Sequence, residues 1–214
     1  MPTDPVLLAA FDALFDEAVV RGPDRPVAYD LPAPRWQFIC HIADTREVVL
    51  HGSGDPSICL FEPRKSNDAI AFGDRTAVYA ASDGLWPMYF AILDRANHRM
   101  SLVNAAIRFE AAEGLGAPHY FFSITRNALV ERPYREGTIY FLPRSTFELM
   151  PAQQYGDVNV HVPQWASLVP VTPMAKIAVA PEDFPLLDGI RGHDDAVIAQ
   201  RAAANPSGFP WLDE

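Results

Sequence analysis

Three consecutive residues after a short apolar run combine groups that suit the binding of a flat polar ligand. The run 47–50 is followed by His51, Gly52 and Ser53. At the end of a strand these residues can present an imidazole, a backbone that a ring can approach closely and a hydroxyl, all near one another. The simpler alternative is a satisfied histidine before a tight turn, and the tripeptide alone does not decide between the two.

Two tyrosines follow at a spacing that suits an aromatic ligand. Tyr79 lies in a second strand candidate, residues 76–81, and Tyr89 lies in the helix predicted after it. Two phenol rings placed in this way can hold an aromatic ring between them. Taken alone, the pair is more simply explained as two amphipathic core residues, because tyrosine is commonly buried in part.

The elements that must position these residues are one helix followed by many short strands. Asp4 and Pro5 suit a helix start, apolar residues then recur at spacings of three and four, and Gly22 suits the end, which predicts a helix over about 5–21. Further helices are predicted over about 85–95 and about 194–204. Short runs rich in apolar, aromatic and β-branched residues predict strands at 36–42, 47–51, 76–81, 119–124, 138–142, 165–167 and 175–179.

This order of elements predicts an α+β fold and not the regular alternation of a parallel α/β sheet. Residues 101–113 are ambiguous between helix and strand, and no convincing linker interrupts the chain, so we expect a single domain over 1–214. Cys40 and Cys59 lie among apolar residues and are expected to be reduced, inert core thiols in a cytoplasmic protein.

Composition excludes several classes of function. The chain has 214 residues, with 17 Lys and Arg against 27 Asp and Glu, and therefore a formal net charge of -10. An acidic chain without a basic block repels phosphate backbones, so we expect no nucleic-acid partner. No run of about 20 apolar residues is present to span a membrane. No pair of histidines has zinc-ligand spacing on one helix, and we expect no metal site.

Taken together, the motifs resemble one family. Leu50-His51-Gly52-Ser53, then Phe72-Gly73, then Val78-Tyr79-Ala80 and then Tyr89 are similar in order and spacing to the NAD-binding half of the diphtheria-toxin-type and poly(ADP-ribose) polymerase-type ADP-ribosyltransferases. Gln164 to Ser167, followed by residues 169–179, is similar to the third motif of that family. The resemblance covers about residues 36–184.

The resemblance implies a fold and a set of roles. The fold would be a split antiparallel β-sandwich that encloses a cleft for NAD. His51 would bond a ribose hydroxyl of NAD, and Gly52 would bind the nicotinamide carboxamide through its backbone, with Ser53 nearby. Tyr79 and Tyr89 would line the nicotinamide pocket, with Tyr89 as the stacking platform. ADP-ribose would then pass to an acceptor, a protein or a small molecule that the sequence does not identify, or to water.

Gln164 occupies the place of the catalytic glutamate in this comparison. Cleavage of the nicotinamide–ribose bond builds positive charge on the ribose, which a carboxylate stabilises and an amide does not. Some toxins of the broader class pair Gln with a Glu two positions later, but that position here is Ala166. Glu148 is one candidate replacement, although a solvated charge at a strand end is the simpler interpretation of it.

Three hypotheses follow from these residues. The first is an ADP-ribosyltransferase-like protein that uses NAD as a substrate. The second is a binding module on the same fold that has lost the chemistry, as the uncharged Gln164 suggests. The third is an RNA 2′-phosphotransferase, which shares the fold and uses NAD. We rank the third lowest, because an RNA substrate calls for a basic surface.

Overall fold

The described residues form five α-helices and thirteen β-strands, numbered in chain order. The computed structural model of the protein describes residues 3–66, 70–206 and 208–211. The helices are α1 (Pro5–Arg21), α2 (Arg35–Thr45), α3 (Leu85–Ile92), α4 (Arg126–Val130) and α5 (Asp195–Ala204). Short 3-10 turns lie at Arg144–Thr146, Pro181–Asp183 and Leu187–Gly189.

The first sheet has seven strands. They are β1 (Val48–Ser53), β2 (Arg64–Lys65), β3 (Thr76–Ala81), β7 (Gly137–Pro143), β8 (Glu148–Leu149), β11 (Gln164–Ser167) and β12 (Ala175–Val179). Their order across the sheet is β12-β7-β1-β3-β11-β8, with β2 paired to β3 outside this path. Every pair in this sheet is antiparallel. The motif strands β1, β3 and β11, which are far apart in the sequence, are therefore neighbours.

The second sheet has six strands. They are β4 (Leu102–Ala111), β5 (Gly114–Leu115), β6 (His119–Thr125), β9 (Gln153–Tyr155), β10 (Val158–His161) and β13 (Arg191–His193). Their order is β13-β6-β4-β10-β9, with β5 paired to β4. All pairs are antiparallel except β13 with β6, which is parallel. The predicted α+β class with a sandwich-like pair of antiparallel sheets is confirmed.

The local start and stop signals of the helices act as the sequence predicts. Asp4 accepts a hydrogen bond from the Val6 amide at 3.0 Å, and Gly22 ends α1 with a φ of 82°. A φ in this left-handed region suits glycine, which has no β-carbon to clash. Asp194 in turn caps α5 by accepting bonds from the Ala196 and Val197 amides. The predicted helices at the two ends of the chain are confirmed.

The strand predicted over 36–42 is wrong, because these residues belong to α2. The residues that α2 buries are Phe38, Ile39, His41, Ile42 and Ala43. Their spacing of three and four residues is that of a helix face, but the run is too short for periodicity alone to separate a helix from a buried strand. The packing of α2 against α1 and α3 decides between the two. The ambiguous segment 101–113 is mostly the strand β4, and the helix predicted over 85–95 ends at Ile92.

Two apolar clusters cover the two faces of the first sheet. The larger cluster joins one face to α1, α2, α3 and the second sheet, and contains Phe11, Phe38, Leu50 and Phe141. The smaller cluster lies on the other face. Its buried members are Val49, Phe61, Val78, Ala80, Tyr140, Leu142, Phe147 and Val171. Side chains alternate between these faces along each strand.

Helix α3 packs directly on β1 and β7, and two glycines allow the close approach. A β-carbon at Gly52 would overlap the backbone carbonyl of Pro87, and one at Gly137 would overlap the carbonyl of Ala91. Only glycine leaves room for helix backbone this close to a strand. The motif glycine Gly52 therefore has a packing function in this fold.

Candidate functional site

Strand β1 separates from β3 within the His-Gly-Ser motif. β1 pairs with β7 over six positions, from Val48 opposite Pro143 to Ser53 opposite Thr138. With β3 it has the single registered pair Leu50 and Ala81. Residues His51–Ser53, which we call the split segment, come directly after that pair. They are bonded into the sheet on one side only.

The imidazole of His51 bridges the two strands where they separate. Its Nδ1 lies 2.7 Å from the backbone carbonyl oxygen of Tyr79, and its ring packs against Phe61 with 4.7 Å between ring centroids. A carbonyl oxygen only accepts hydrogen bonds, so Nδ1 carries the proton. The neutral ring therefore presents an unprotonated Nε2, which has no hydrogen-bond partner among the described residues.

The surroundings of His51 keep this ring neutral. Burial lowers the pKa of His51, the bond to the Tyr79 carbonyl opposes part of that shift, and the positive charge of Arg64 lowers the pKa further. Near neutral pH the half-buried Nε2 is thus a fixed acceptor. A ligand hydroxyl is the kind of group that such an acceptor binds.

Ser53 and the loop after it are held in place from several sides. The Ser53 hydroxyl accepts a hydrogen bond from the Asp55 amide at 3.1 Å. Arg135 donates to the Gly54 carbonyl at 2.6 Å, and Lys176 donates to the Pro56 carbonyl at 2.8 Å. The split segment therefore leads into an ordered loop with two cations bound to its backbone.

The hydroxyl of Tyr79 is used to hold the turn that precedes β3. It donates towards the Phe72 carbonyl at 3.0 Å, lies 3.2 Å from the Arg75 carbonyl, and accepts the Arg75 amide at 2.8 Å. The phenol ring itself is half-buried. Tyr79 thus acts through its carbonyl on His51 and through its hydroxyl on residues 72–75.

Tyr89 is a core residue. It is 0% exposed, its ring stacks on Phe122 at 4.5 Å, and its hydroxyl donates to the Ser123 carbonyl at 3.0 Å. Burial raises the pKa of this phenol. Because both the ring face and the hydroxyl have protein partners, Tyr89 offers no open platform to a ligand in this structure.

Gln164 is the first residue of β11 and stands opposite Ala81. Its half-exposed carboxamide has no partner within the described part of the chain. Tyr79 and Gln164 share one face of the sheet by alternation, while Trp165 packs into the smaller cluster on the other face.

The structure brings the predicted site residues onto neighbouring strands but not around one slot. His51 contacts Tyr79 through the Tyr79 backbone, and the imidazole faces the smaller cluster beside Phe61. The side chains of Tyr79 and Gln164 lie on the opposite face, and Tyr89 is enclosed in the larger cluster. Of the predicted site residues, His51 and Tyr79 are in direct contact at the split between β1 and β3.

An ion pair next to Gln164 had no signal of its own in the sequence. Arg75 Nη1 donates to Glu148 Oε2 at 3.1 Å, and Glu148 lies opposite Ala166 across the β8–β11 pair. The sequence indicates Glu148 as a candidate carboxylate for the site but does not indicate Arg75 as its partner. The two residues are 73 positions apart, and only the strand pairing brings them together.

A second polar cluster connects the second sheet to α5. Ser101 Oγ lies 2.8 Å from His193 Nε2 and donates to Asp195 at 2.6 Å, and Ser123 Oγ lies 2.7 Å from His193 Nδ1. Thr125 also donates to Asp195, at 2.8 Å. We call Ser101, Ser123, Thr125, His193 and Asp195 the His193 network. The sequence analysis assigned no site here.

Two cavities lie on the second sheet and away from the split segment. One has a volume of about 180 Å³ and is lined in part by Arg126, Arg191 and His193. The other, of about 360 Å³, lies along residues 118–122.

The expectation that Cys59 is a core thiol is wrong. Cys59 is exposed, because its loop runs over the surface. Cys40 is half-buried, and burial raises the pKa of its thiol.

Known proteins do not assign a family to the chain. No protein-family model, curated protein or solved structure matches it. Within residues 3–66, 70–206 and 208–211, none of the helices combines the length and the apolar character that crossing a membrane requires. The same residues contain no group of three or more histidine, cysteine, aspartate or glutamate side chains arranged to hold a metal ion. Function must therefore be inferred from the geometry of β1, β3 and β11.

Proposed function

We propose that the chain is an ADP-ribosyltransferase-like protein that binds NAD at the split segment. One observation carries this proposal: the His51 imidazole is fixed by the Tyr79 carbonyl at 2.7 Å where β1 and β3 separate, and its Nε2 has no partner in the described chain. A neutral, oriented imidazole of this kind suits a ribose hydroxyl. Past Leu50 the two strands are unpaired, which leaves an edge beside His51 that a ligand can occupy.

The charges around the split segment support an anionic dinucleotide. Arg64 is exposed near His51 and has no carboxylate at ion-pair distance in the described chain. Arg135 and Lys176 bond backbone carbonyls of the following loop and not carboxylates. Arg64 near His51, and Arg135 and Lys176 on the loop that also carries Asp55, place more positive than negative charge around the split segment, which favours a pyrophosphate.

In the proposed reaction, NAD is the substrate and nicotinamide is released. The ADP-ribose passes to water or to an acceptor protein or small molecule. Gln164 would bond a ribose hydroxyl through its free carboxamide. Tyr89 has no direct role in this scheme, because it is buried. Both cysteines are free thiols, in keeping with the cytoplasmic location that we propose.

A binding module without transfer chemistry is the second candidate. Gln164 has no charge with which to stabilise an oxocarbenium-like ribose, and a unit charge at about 4 Å is worth roughly 4 kcal/mol at an effective dielectric constant of about 20. Under this candidate NAD binds at the split segment but nicotinamide is not released.

Calorimetry of NAD binding tests the proposal. The variant His51→Ala removes the Nε2 acceptor and is expected to weaken NAD binding about tenfold, which corresponds to about 1.4 kcal/mol. His119→Ala is the control, since His119 is exposed on the second sheet and is expected to bind NAD as the unmodified chain does. Absence of NAD binding at millimolar ligand, or equal binding by both variants, would contradict the proposal.

Release of nicotinamide separates the two candidates. The unmodified chain is incubated with NAD and free nicotinamide is quantified over time. Release above the rate without protein supports the transferase or hydrolase, and binding without release supports the module.

A further inference from the structure

Strand pairing brings the carboxylate of Glu148 near Gln164, although the two residues are not neighbours in the sequence. Glu148 on β8 stands directly opposite Ala166 on β11, and Ala166 is two residues after Gln164. Cross-strand partners point to the same face of a sheet, as do residues two apart on one strand. Glu148, Gln164 and Tyr79 therefore share one face.

Arg75 orients the Glu148 carboxylate by bonding one of its two oxygens. Arg75 Nη1 contacts Oε2 at 3.1 Å, and the Glu148 side chain is 62% exposed. Oε1 has no hydrogen-bond partner among the residues that the structure describes. One oxygen is thus held while the other is open to a ligand.

Arg75 is itself fixed from two directions. Its guanidinium lies over the Phe72 ring at 4.0 Å, and its Nε donates to the Phe72 carbonyl at 3.2 Å. Its amide donates to the Tyr79 hydroxyl at 2.8 Å. Arg75 Nη2 is buried and has no hydrogen-bond partner in the described chain. The contacts lead without a break from the motif tyrosine to Glu148.

On the basis of the proposed function, we infer that Glu148 is the catalytic carboxylate of this site. In that role Gln164 binds and orients the ribose, while Glu148 provides the negative charge that the amide lacks. The two functions that a single glutamate would combine are divided between adjacent strands.

The step that Glu148 stabilises breaks the bond between the nicotinamide nitrogen and the anomeric carbon of the ribose. Both bonding electrons leave on the nicotinamide, which becomes neutral, and the positive charge passes to the ribose ring as an oxocarbenium-like state. An oxygen of water or of the acceptor then bonds to the anomeric carbon and releases its proton to solvent. Glu148 ends the cycle ionised, as it began.

The substitution Glu148→Gln tests this role, because the amide oxygen can still accept from Arg75 while the charge is lost. We expect nicotinamide release to fall by about 100- to 1,000-fold, the effect of a unit charge at close range. NAD affinity, measured by calorimetry, should change less than about threefold. Glu47→Gln is the matched control: Glu47 is an exposed glutamate paired with Arg144, on the approach to β1. It should leave release unchanged.

Restoration of the charge at the neighbouring position gives a second readout. Adding Gln164→Glu to Glu148→Gln places a carboxylate on the same face one strand away, and release should recover at least about tenfold. Glu148→Asp keeps the charge on a shorter side chain and should retain part of the activity. Melting temperatures of all variants are measured, since a purely structural ion pair would alter stability without selectively lowering the turnover rate.

The outcomes separate the two proposals. No NAD binding by the unmodified chain overturns the proposed function and this role with it. NAD binding without nicotinamide release overturns the role of Glu148 but leaves NAD binding in place. Release that is unchanged by Glu148→Gln overturns the role of Glu148 while the transferase itself stands.

Discussion

Two polar clusters of this molecule, the split segment with its neighbours and the His193 network, differ in how many bonding atoms they leave open. Around the split segment, His51 Nε2 and the Gln164 carboxamide have no partner in the described chain. In the His193 network both ring nitrogens of His193 have partners, and Asp195 accepts from Ser101 and Thr125. Both clusters unite residues that are distant in the sequence.

The contrast separates a candidate binding site from a structural connection. A buried histidine with both ring nitrogens bonded contributes stability and has no bonding capacity left for a ligand. Open donors and acceptors beside a strand edge keep that capacity at some cost to stability. His193 is 1% exposed and anchors β13 and α5, whereas His51 is half-buried and anchored on one side only.

The largest effect is expected at Gly52, the motif residue that packing alone explains. In Gly52→Ala the new β-carbon meets the Pro87 carbonyl, which is helix backbone and cannot rotate away. We expect the free energy of unfolding to fall by about 3 kcal/mol or more. Urea unfolding measures the change.

Gly189→Ala is the matched control for that substitution. A β-carbon at Gly189 has no atom within 4 Å, so its effect should stay within about 0.5 kcal/mol. If Gly52→Ala were as mild as the control, α3 would not be fixed against β1. Gly52 would then return to the list of residues explained only by ligand binding.

The features that the sequence predicted correctly are those set by contacts between residues close together in the chain. The capping of α1 by Asp4, its end at Gly22 and the cap of α5 at Asp194 depend on residues a few positions apart. The strand over 76–81 likewise follows from its own composition. The His-Gly-Ser motif was correctly placed at the end of a strand, and it forms the last half of β1.

The features that the sequence did not predict are those set by contacts between residues that are far apart in the chain. The apolar residues of the run 36–42 fit a helix and a buried strand equally well, and only the packing of this run against α1 and α3 makes it helical. Tyr89 could be expected to line a cleft until the second sheet placed Phe122 against its ring. The contact of Ser101 with His193 spans 92 positions, and no local pattern predicts such a contact.

A smaller loss of stability is expected in the His193 network. His193→Ala removes a buried ring and leaves Ser101, Ser123 and Asp195 without their shared partner. The free energy of unfolding should fall by about 2–3 kcal/mol. NAD affinity should not change, because both ring nitrogens of His193 have protein partners and the network lies on the second sheet.

His119→Ala provides the control, since it removes an exposed histidine from the same sheet. Its effect on stability should be within about 0.5 kcal/mol. Should His193→Ala weaken NAD binding as much as His51→Ala does, the two clusters would be parts of one site and the distinction between them would fail.

The smallest effect is a dependence of stability on pH that both histidines share in sign. Burial lowers the pKa of His193, and the charge and hydrogen bond of Asp195 offset part of that shift. Burial likewise lowers the pKa of His51. A histidine whose pKa is lowered on folding binds fewer protons in the folded than in the unfolded state just below pH 6.5. Stability is therefore full above pH 6.5 and declines as the pH falls from 6.5 towards the folded value.

Urea unfolding at pH 7.5, 6.5 and 5.5 measures this decline, which is at most about 1.4 kcal/mol per pH unit for each histidine. His193→Gln and His51→Gln should each remove the part of the decline that is due to that histidine.

Asp195 does not contribute to the decline between pH 7.5 and 5.5. Burial acts to raise its pKa, but hydrogen bonds from Ser101 and Thr125 outweigh burial and lower it, so its share of stability is lost only below pH 3.8. NAD distinguishes the two histidines: a ligand hydroxyl that donates to His51 Nε2 alters the part of the slope due to His51 and leaves that due to His193 unchanged. Equal slopes for the unmodified chain with and without saturating NAD would place the ligand away from the split segment.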